Sequence, residues 1–113
     1  MATKDIRRHH RIPYVGPVRL SWEDQGRAKF IMAKCVDISE TGLRVEVSEP
    51  IPIRTNLQLR AERINLGGSA SVKHCVRYGA KYLLGLELSQ LLQEKTLTMV
   101  REPWALRSQL QAR

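Results

Sequence analysis

Aromatic side chains, cysteines and long apolar runs are all scarce in this chain of 113 residues. Aromatic residues make up 5% of it, and they supply few of the stacking platforms that proteins binding single-stranded nucleic acid use. The two cysteines, Cys35 and Cys75, form no C-x-x-C pair, and with the three histidines they complete no zinc-binding spacing. Both lie in strand-like runs with apolar neighbours, so we expect two buried free thiols.

Membrane-spanning and catalytic patterns are also missing. No apolar run approaches the roughly 18–20 residues that cross a bilayer, and the N-terminus lacks the apolar segment of a secretory signal. No nucleophile–base pair, metal-ligand set or glycine-rich phosphate loop is visible, which argues against an enzyme. We therefore expect a cytoplasmic binding protein that is not inserted in a membrane. The start MATK and the modest tail suggest a complete short chain.

Positive charge is what the chain has in excess. Lysine and arginine number 19 against 11 acidic residues, a formal net charge of +8. Such a surface favours anionic partners such as nucleic acid, nucleotides or anionic lipid, although net charge also keeps small domains soluble. The length predicts one domain. Its basic residues cluster near the N-terminus, where residues 4–11 hold four basic side chains and one acidic one.

Alternating apolar and polar residues predict about six short strands. We expect them at 14–22, 28–36, 43–48, 57–64, 71–79 and 81–88, with turns at 23–27, 37–42 and 65–70 and a proline-rich loop at 49–56. Strands at this spacing indicate a small antiparallel barrel or sandwich. Pro13 and Pro17 suit an edge strand or a bulged start rather than a central strand.

The last quarter of the chain has helical spacing instead. A helix is expected over 89–102, with Ser89 as its N-cap and Pro103 ending it. Trp104 and Leu106 dock on the barrel in one interpretation and form a homodimer contact in the other. The predicted organisation is a flexible arginine-rich segment (1–12), a barrel (13–88) and a C-terminal helical segment (89–113).

Two short motifs carry chemistry. RRHHR (7–11) presents guanidinium groups, whose planar forks fit phosphate or the O6/N7 edge of guanine. DISETG (37–42) combines turn-forming residues with a glycine that permits a close backbone approach. Each motif alone is weak, because basic chains carry such arginine spacings by accident and D-x-S-x-x-G also describes an ordinary hairpin turn.

Together, the two motifs resemble the PilZ domain family. R-x-x-x-R stands just before the first strand, and D-x-S-x-x-G follows between strands two and three. The GLRVEV continuation, Gly85 and the C-terminal helix fit as well, so that the resemblance covers roughly residues 6–100. It implies an all-β, six-stranded antiparallel barrel with a C-terminal helix. It also implies a bacterial receptor for the second messenger cyclic di-GMP, with no cofactor and with a protein partner of unknown identity.

The resemblance assigns the ligand-binding residues. Arg7 and Arg11 match the first motif, and Asp37, Ser39 and Gly42 match the second. The arginines would clamp phosphates or a guanine edge, and Asp37 would accept hydrogen bonds from the guanine N1–H and N2–H₂ groups, which gives base specificity. Two further arginines are candidates of lower rank: Arg8, which is not fixed by the motif, and Arg44, on the same strand face as Gly42.

The sequence departs from the family pattern at one position, and another position bears on the number of ligands bound. The final strand reads Gly85-Leu-Glu-Leu88 where many PilZ domains have phenylalanine at the last position, and Ile6 hints at a single ligand rather than an intercalated pair.

Two alternatives to a cyclic di-GMP receptor stay open. The chain could be a degenerate PilZ domain that acts only through protein–protein contact. It could also be a basic barrel that binds single-stranded nucleic acid, which the scarcity of aromatic residues disfavours.

Overall fold

The computed structural model describes residues 11–90, and these form a closed barrel of six antiparallel strands. The strand order around the barrel is β1-β2-β3-β6-β5-β4. The elements are β1 (Ile12–Asp24), β2 (Arg27–Ile38), β3 (Gly42–Val47), β4 (Asn56–Ala61), a 3-10 helix (Glu62–Ile64), β5 (Leu66–Tyr78) and β6 (Lys81–Leu88). The predicted six-stranded barrel is confirmed. The helix predicted over 89–102, and the rest of the C-terminal segment, lie outside the described residues from residue 91 on.

Alternation along the strands fills the barrel interior with aliphatic side chains. One face of each strand points inward, and burial of each such side chain stabilises the fold by about 1.5–3 kcal/mol. The fully buried aliphatic residues on the strands include Val18, Leu20, Ile38, Leu43, Val45, Val72 and Leu84, and the Cys35 thiol and Ile51 from the β3–β4 loop join them. No helix among residues 11–90 is long and apolar enough to span a bilayer.

The turn predicted over 65–70 is wrong, and its glycines explain the error. Gly67 and Gly68 lie within β5, in extended conformation, and pair with β4. The chain reverses earlier, through the 3-10 helix that follows Ala61 and through Asn65, whose φ of 52° and ψ of 44° are left-handed. The strand predicted over 57–64 therefore ends at Ala61, because the reversal uses the residues after it.

The β1–β2 hairpin is longer and its turn tighter than predicted. Asp24 pairs with Arg27, so the turn consists of Gln25 and Gly26 alone, both at positive φ (54° and 80°). Two-residue turns of this kind match the twist of the flanking strands. The expected bulge near the prolines is present, because the β1–β2 register shifts between Pro13 and Gly16.

A second bulge, on β2, determines which way Asp37 faces. Cys35 pairs with Val45 and Asp37 pairs with Arg44, so β2 has one extra residue, Val36, in this interval. Side chains alternate along a strand, and without the extra residue Asp37 would share the inward face of Cys35. The bulge reverses the alternation and places Asp37 beside the exposed Arg44 on the outer face.

Gly42 is required by the close approach of β3 to β6. A Cβ atom at this position would overlap the carbonyl oxygen of Leu86, a backbone atom held in the barrel ladder. Gly68, in contrast, has no atom within 4 Å of an added Cβ.

We predict that Gly42→Ala lowers the free energy of unfolding by about 1–3 kcal/mol, the usual cost of overpacking against atoms that cannot move. Urea denaturation measures the change. Gly68→Ala is the matched control and is expected to stay within about 0.5 kcal/mol of the parent, as surface substitutions do. Equal stability of the two variants would contradict the close approach.

Candidate functional site

The DISETG turn is fixed by its own hydrogen bonds. The Ser39 N–H donates to the Gly42 carbonyl over 2.8 Å, and the Gly42 N–H donates to the Ser39 carbonyl over 3.4 Å. The Ser39 hydroxyl accepts the Thr41 N–H at 3.3 Å and lies 3.2 Å from the Thr41 hydroxyl. The Leu88 N–H donates to the Thr41 carbonyl, which anchors the turn to the end of β6. Ser39 is fully buried, so it shapes the turn from inside.

Asp37 is held between two arginines. The Arg11 Nε–H donates to Asp37 Oδ1 over 2.5 Å, and the Arg44 Nε–H donates to Oδ2 over 2.8 Å, with Arg44 Nη2 also on Oδ2. The three side chains come from neighbouring parts of the barrel: Arg11 just before β1, Asp37 on β2 and Arg44 on β3. The Asp37 side chain is 11% exposed, whereas the arginine side chains are 34% and 47% exposed.

The electrostatics of this cluster favour the charged forms. Burial alone would raise the pKa of Asp37, but hydrogen bonds from Arg44 and Arg11 and their charges outweigh it and lower the pKa below its usual range. The hydrogen bond to Asp37 in turn raises the pKa of Arg44. The carboxylate is therefore ionised at neutral pH, and two positive charges surround one negative charge.

Donor capacity remains on both arginines. A guanidinium carries five N–H groups, of which Arg11 uses one on Asp37 and Arg44 uses two. In the part of the chain that the structure describes, the other N–H groups of these two side chains have no protein acceptor. Guanidinium groups oriented in this way can bind phosphate oxygens or the acceptor edge of guanine.

The outer face of the barrel is flat beside Arg44, at Gly85, which has no side chain; we call this position the flat step. Arg44 pairs with Gly85 on β6, and Gly85 pairs with His74 on β5. A Cβ atom at Gly85 would lie 3.1 Å from the His74 ring, so the ring lies directly beside the bare backbone. Arg44 and the exposed His74 thus flank a position without a side chain.

The structure brings some of the site residues predicted from the sequence together. Arg11 and Asp37 are in direct contact, while Ser39 and Gly42 shape the turn next to them. Arg44, ranked low from sequence, is a central member, and its pairing with Asp37 depends on the register shift at Val36, for which the sequence carries no signal. Arg7 and Arg8 lie outside the described residues. Within residues 11–90, no three His, Cys, Asp or Glu side chains converge on a common point for a metal.

The two cysteines differ in burial, although both were expected to be buried. Cys35 is fully buried beneath the site, where its thiol donates to the Asp37 carbonyl over 3.4 Å. Burial, together with the Asp37 charge, raises the pKa of Cys35 to about 12, so its thiol is neutral. Cys75 is half-buried rather than buried, and both cysteines are free.

Comparison with known proteins shows the family and the fold of the chain. The PilZ domain family model matches residues 5–102. Among solved structures, the chain is similar to the PilZ domain with c-di-GMP of YcgR from Escherichia coli, with a TM-score of 0.56 and 12% sequence identity. The likeness covers 94% of this chain and 95% of the other, and at this identity it shows the fold alone. No curated protein matches the sequence.

We predict that Asp37→Asn lowers the free energy of unfolding at pH 7 by about 1–3 kcal/mol, because two charge-assisted contacts lose their acceptor charge. The control is Asp24→Asn, which removes an exposed pair with Lys29 at 3.6 Å and is expected to change stability by less than about 1 kcal/mol. Denaturant unfolding of both variants tests this; equal effects would contradict the special role of Asp37.

The stability difference between the parent protein and Asp37→Asn should depend on pH. The folded pKa of Asp37 is lowered, so its contribution is complete above the unfolded pKa of about 3.9 and is lost as pH falls through the folded value. We expect a constant difference from pH 5 to 7 that shrinks below about pH 4. A difference that persists unchanged under acid would show that the carboxylate charge is not the cause.

Proposed function

The chain belongs to the PilZ domain family, and from this premise we propose that it is a bacterial, cytoplasmic receptor for cyclic di-GMP. One observation carries the proposal: Arg11 and Arg44 are held on Asp37 with most of their donors unused, at the junction of the two family motifs. The solved relative YcgR, whose PilZ domain was determined with c-di-GMP, supports the same ligand.

The ligand's chemistry complements this cluster. Cyclic di-GMP offers two phosphates and two guanine bases, and each guanine presents O6 and N7 as paired acceptors. Arg11 has four N–H groups and Arg44 has three that make no contact with Asp37, so both side chains have donors for either group. Their orientation is set before the ligand arrives, and this reduces the side-chain entropy lost on binding.

Asp37 has two roles in this proposal. Its carboxylate offers about four acceptor positions, and three arginine N–H groups fill most of them. Its first role is therefore to orient Arg11 and Arg44. The second is to accept the guanine N1–H and N2–H₂ groups, which requires that the Arg11 Nε–H leaves Oδ1 and turns to a ligand phosphate. Adenine lacks this pair of donors, so the exchange selects guanine.

The remaining family residues support these contacts. Arg7 and Arg8 precede Arg11 closely, and we assign them to the ligand phosphates or to stacking on a base. Ser39 and Gly42 act through the turn: Ser39 holds it from inside and Gly42 allows β3 to approach β6. On binding, the segment 1–12 closes over the ligand and changes a surface that a partner protein reads.

The flat step at Gly85 provides space for a planar base. Arg44 and His74 stand on either side of it, and both side chains can stack on an aromatic ring. A side chain at Gly85 would displace the His74 ring and obstruct the surface. The step is thus the second contact region that we assign to a guanine.

We predict that isothermal titration shows micromolar or tighter binding of cyclic di-GMP and none of GTP or cyclic di-AMP. The double variant Arg7→Ala/Arg11→Ala should bind more than about 100-fold more weakly, since two charge-assisted contacts of about 1.5–3 kcal/mol each are lost. Arg44→Ala should weaken binding at least about tenfold, for loss of one such contact.

The matched control is Arg27→Ala/Lys81→Ala, which removes the same charge from two exposed hairpin positions. It should bind like the parent, because only general electrostatic attraction is reduced. Absence of heat from the parent protein would contradict the receptor proposal and leave the degenerate adaptor as the function. Equal weakening in both double variants would show non-specific attraction to a basic protein.

A further inference from the structure

A second surface on the barrel has the composition of a protein-binding site. It consists of Pro17, Arg19, Phe30, Met32, Arg60 and Arg63, which we call the arginine–methionine face. The register places three of them in one row across β2, β1 and β4: Arg19 pairs with Met32 on one side and with Arg60 on the other. All three are exposed, so the row lies on the outside of the barrel.

The positive charge of this face is poorly compensated. Arg19 and Arg60 stand directly opposite each other, and like charges in that position repel. The carboxylate of Glu62 lies 3.7 Å from Arg60, but both side chains are more than 60% exposed and the pair is weak. Among residues 11–90, Arg19 and Arg63 have no ion-pair partner. A partner that supplies negative charge would relieve the repulsion.

Apolar side chains lie beside these arginines. Phe30 is 75% exposed and Met32 is 61% exposed. Both lie on the outer side of β2 and do not pack in the barrel core. The row borders a cleft of about 270 Å³ that Pro17, Met32 and the three arginines line together with Glu62. Exposed apolar residues with a polar rim are typical of interaction sites.

The combination favours a protein over other anionic partners. Phenylalanine, methionine and arginine are enriched at protein interfaces, and arginine is a common hot-spot residue. A small anion would use the arginines and leave Phe30 and Met32 in water. Single-stranded nucleic acid needs several aromatic platforms, and this face offers one. A second copy of the chain is disfavoured by repulsion, because each copy carries a net charge of +8.

We propose that the arginine–methionine face docks an acidic patch of a partner protein, in which carboxylates reach Arg19, Arg60 and Arg63 and an apolar side chain covers Phe30 and Met32. This surface is separate from the Asp37 cluster. Met32 and Asp37 lie five residues apart on β2, about 16 Å at roughly 3.3 Å per residue. Partner and cyclic di-GMP can therefore bind at the same time.

In-cell photo-crosslinking of the full chain tests the proposal. p-Benzoylphenylalanine replaces Phe30, or, as the control, Tyr78, which is 56% exposed on β5, a strand that pairs with neither β1 nor β2. We expect one protein adduct from position 30 and none from position 78. Arg19→Glu/Arg60→Glu should reduce the adduct at least tenfold, whereas Arg77→Glu/Lys81→Glu, with the same change of charge, should leave it unchanged. Met32→Ser, which alters no charge, should reduce it as well.

Charge exchange completes the test. The crosslinked peptide of the partner should contain surface aspartate or glutamate, and changing these residues to lysine should restore the adduct with the Arg19→Glu/Arg60→Glu variant. The proposal is overturned if position 30 yields no more adduct than position 78, if the adduct is RNA, lipid or a second copy, or if it ignores the arginine reversal. Titration of the Arg19→Glu/Arg60→Glu variant with cyclic di-GMP should match the parent protein. If the parent binds no cyclic di-GMP but the adduct persists, the receptor proposal fails and the docking surface stands.

Discussion

The carboxylate of Asp37 sits between the guanidinium groups of Arg11 and Arg44, and the candidate site is built around this contact. It joins β2 to β3 and to the residue that precedes β1, so it also brings the last residue of the RRHHR motif onto the barrel. One negative charge between two positive ones leaves an excess of donors and of positive charge. The phosphorylated purine ligand that we propose offers both the anionic oxygens and the paired acceptors that these donors can bind.

Two backbone features make this contact geometrically feasible. The extra residue Val36 turns Asp37 from the core face to the outer face, and Gly42 lets β3 approach β6 closely enough to keep Arg44 beside the bare position at Gly85. The same strand, β2, carries Met32 of the arginine–methionine face on its outer side. The barrel therefore presents two chemically different surfaces on one strand: one with a buried carboxylate, where we propose that a small ligand binds, and one with exposed apolar and cationic groups, where we propose that a protein docks.

Much of the barrel could be predicted from the sequence because its inward-facing residues alternate, as in Leu43, Val45 and Val47, and because tight turns attract residues such as Gln25-Gly26. Alternation breaks down where backbone geometry changes. The alternation of side chains could not reveal the bulge at Val36. The Gly67-Gly68 pair has the composition of a turn but lies within a strand. The motifs identified Arg11 and Asp37. The sequence pattern could not show that Arg44 contacts Asp37, because this contact depends on the register across the hairpin, which a one-dimensional pattern does not contain.

The central claim is that Asp37 orients two arginines for the ligand and exchanges one of them for guanine. Nuclear magnetic resonance of the Arg11 and Arg44 Nε–H groups, recorded while cyclic di-GMP is added, tests it most directly. We expect both signals to be shifted and slowly exchanging before the ligand is added, as hydrogen bonds to a carboxylate require. On binding, the Arg11 signal should move in a saturable way while Arg44 stays on Asp37. Signals that are averaged with solvent in the free protein, or an Arg11 signal unaffected by saturating ligand, would contradict it.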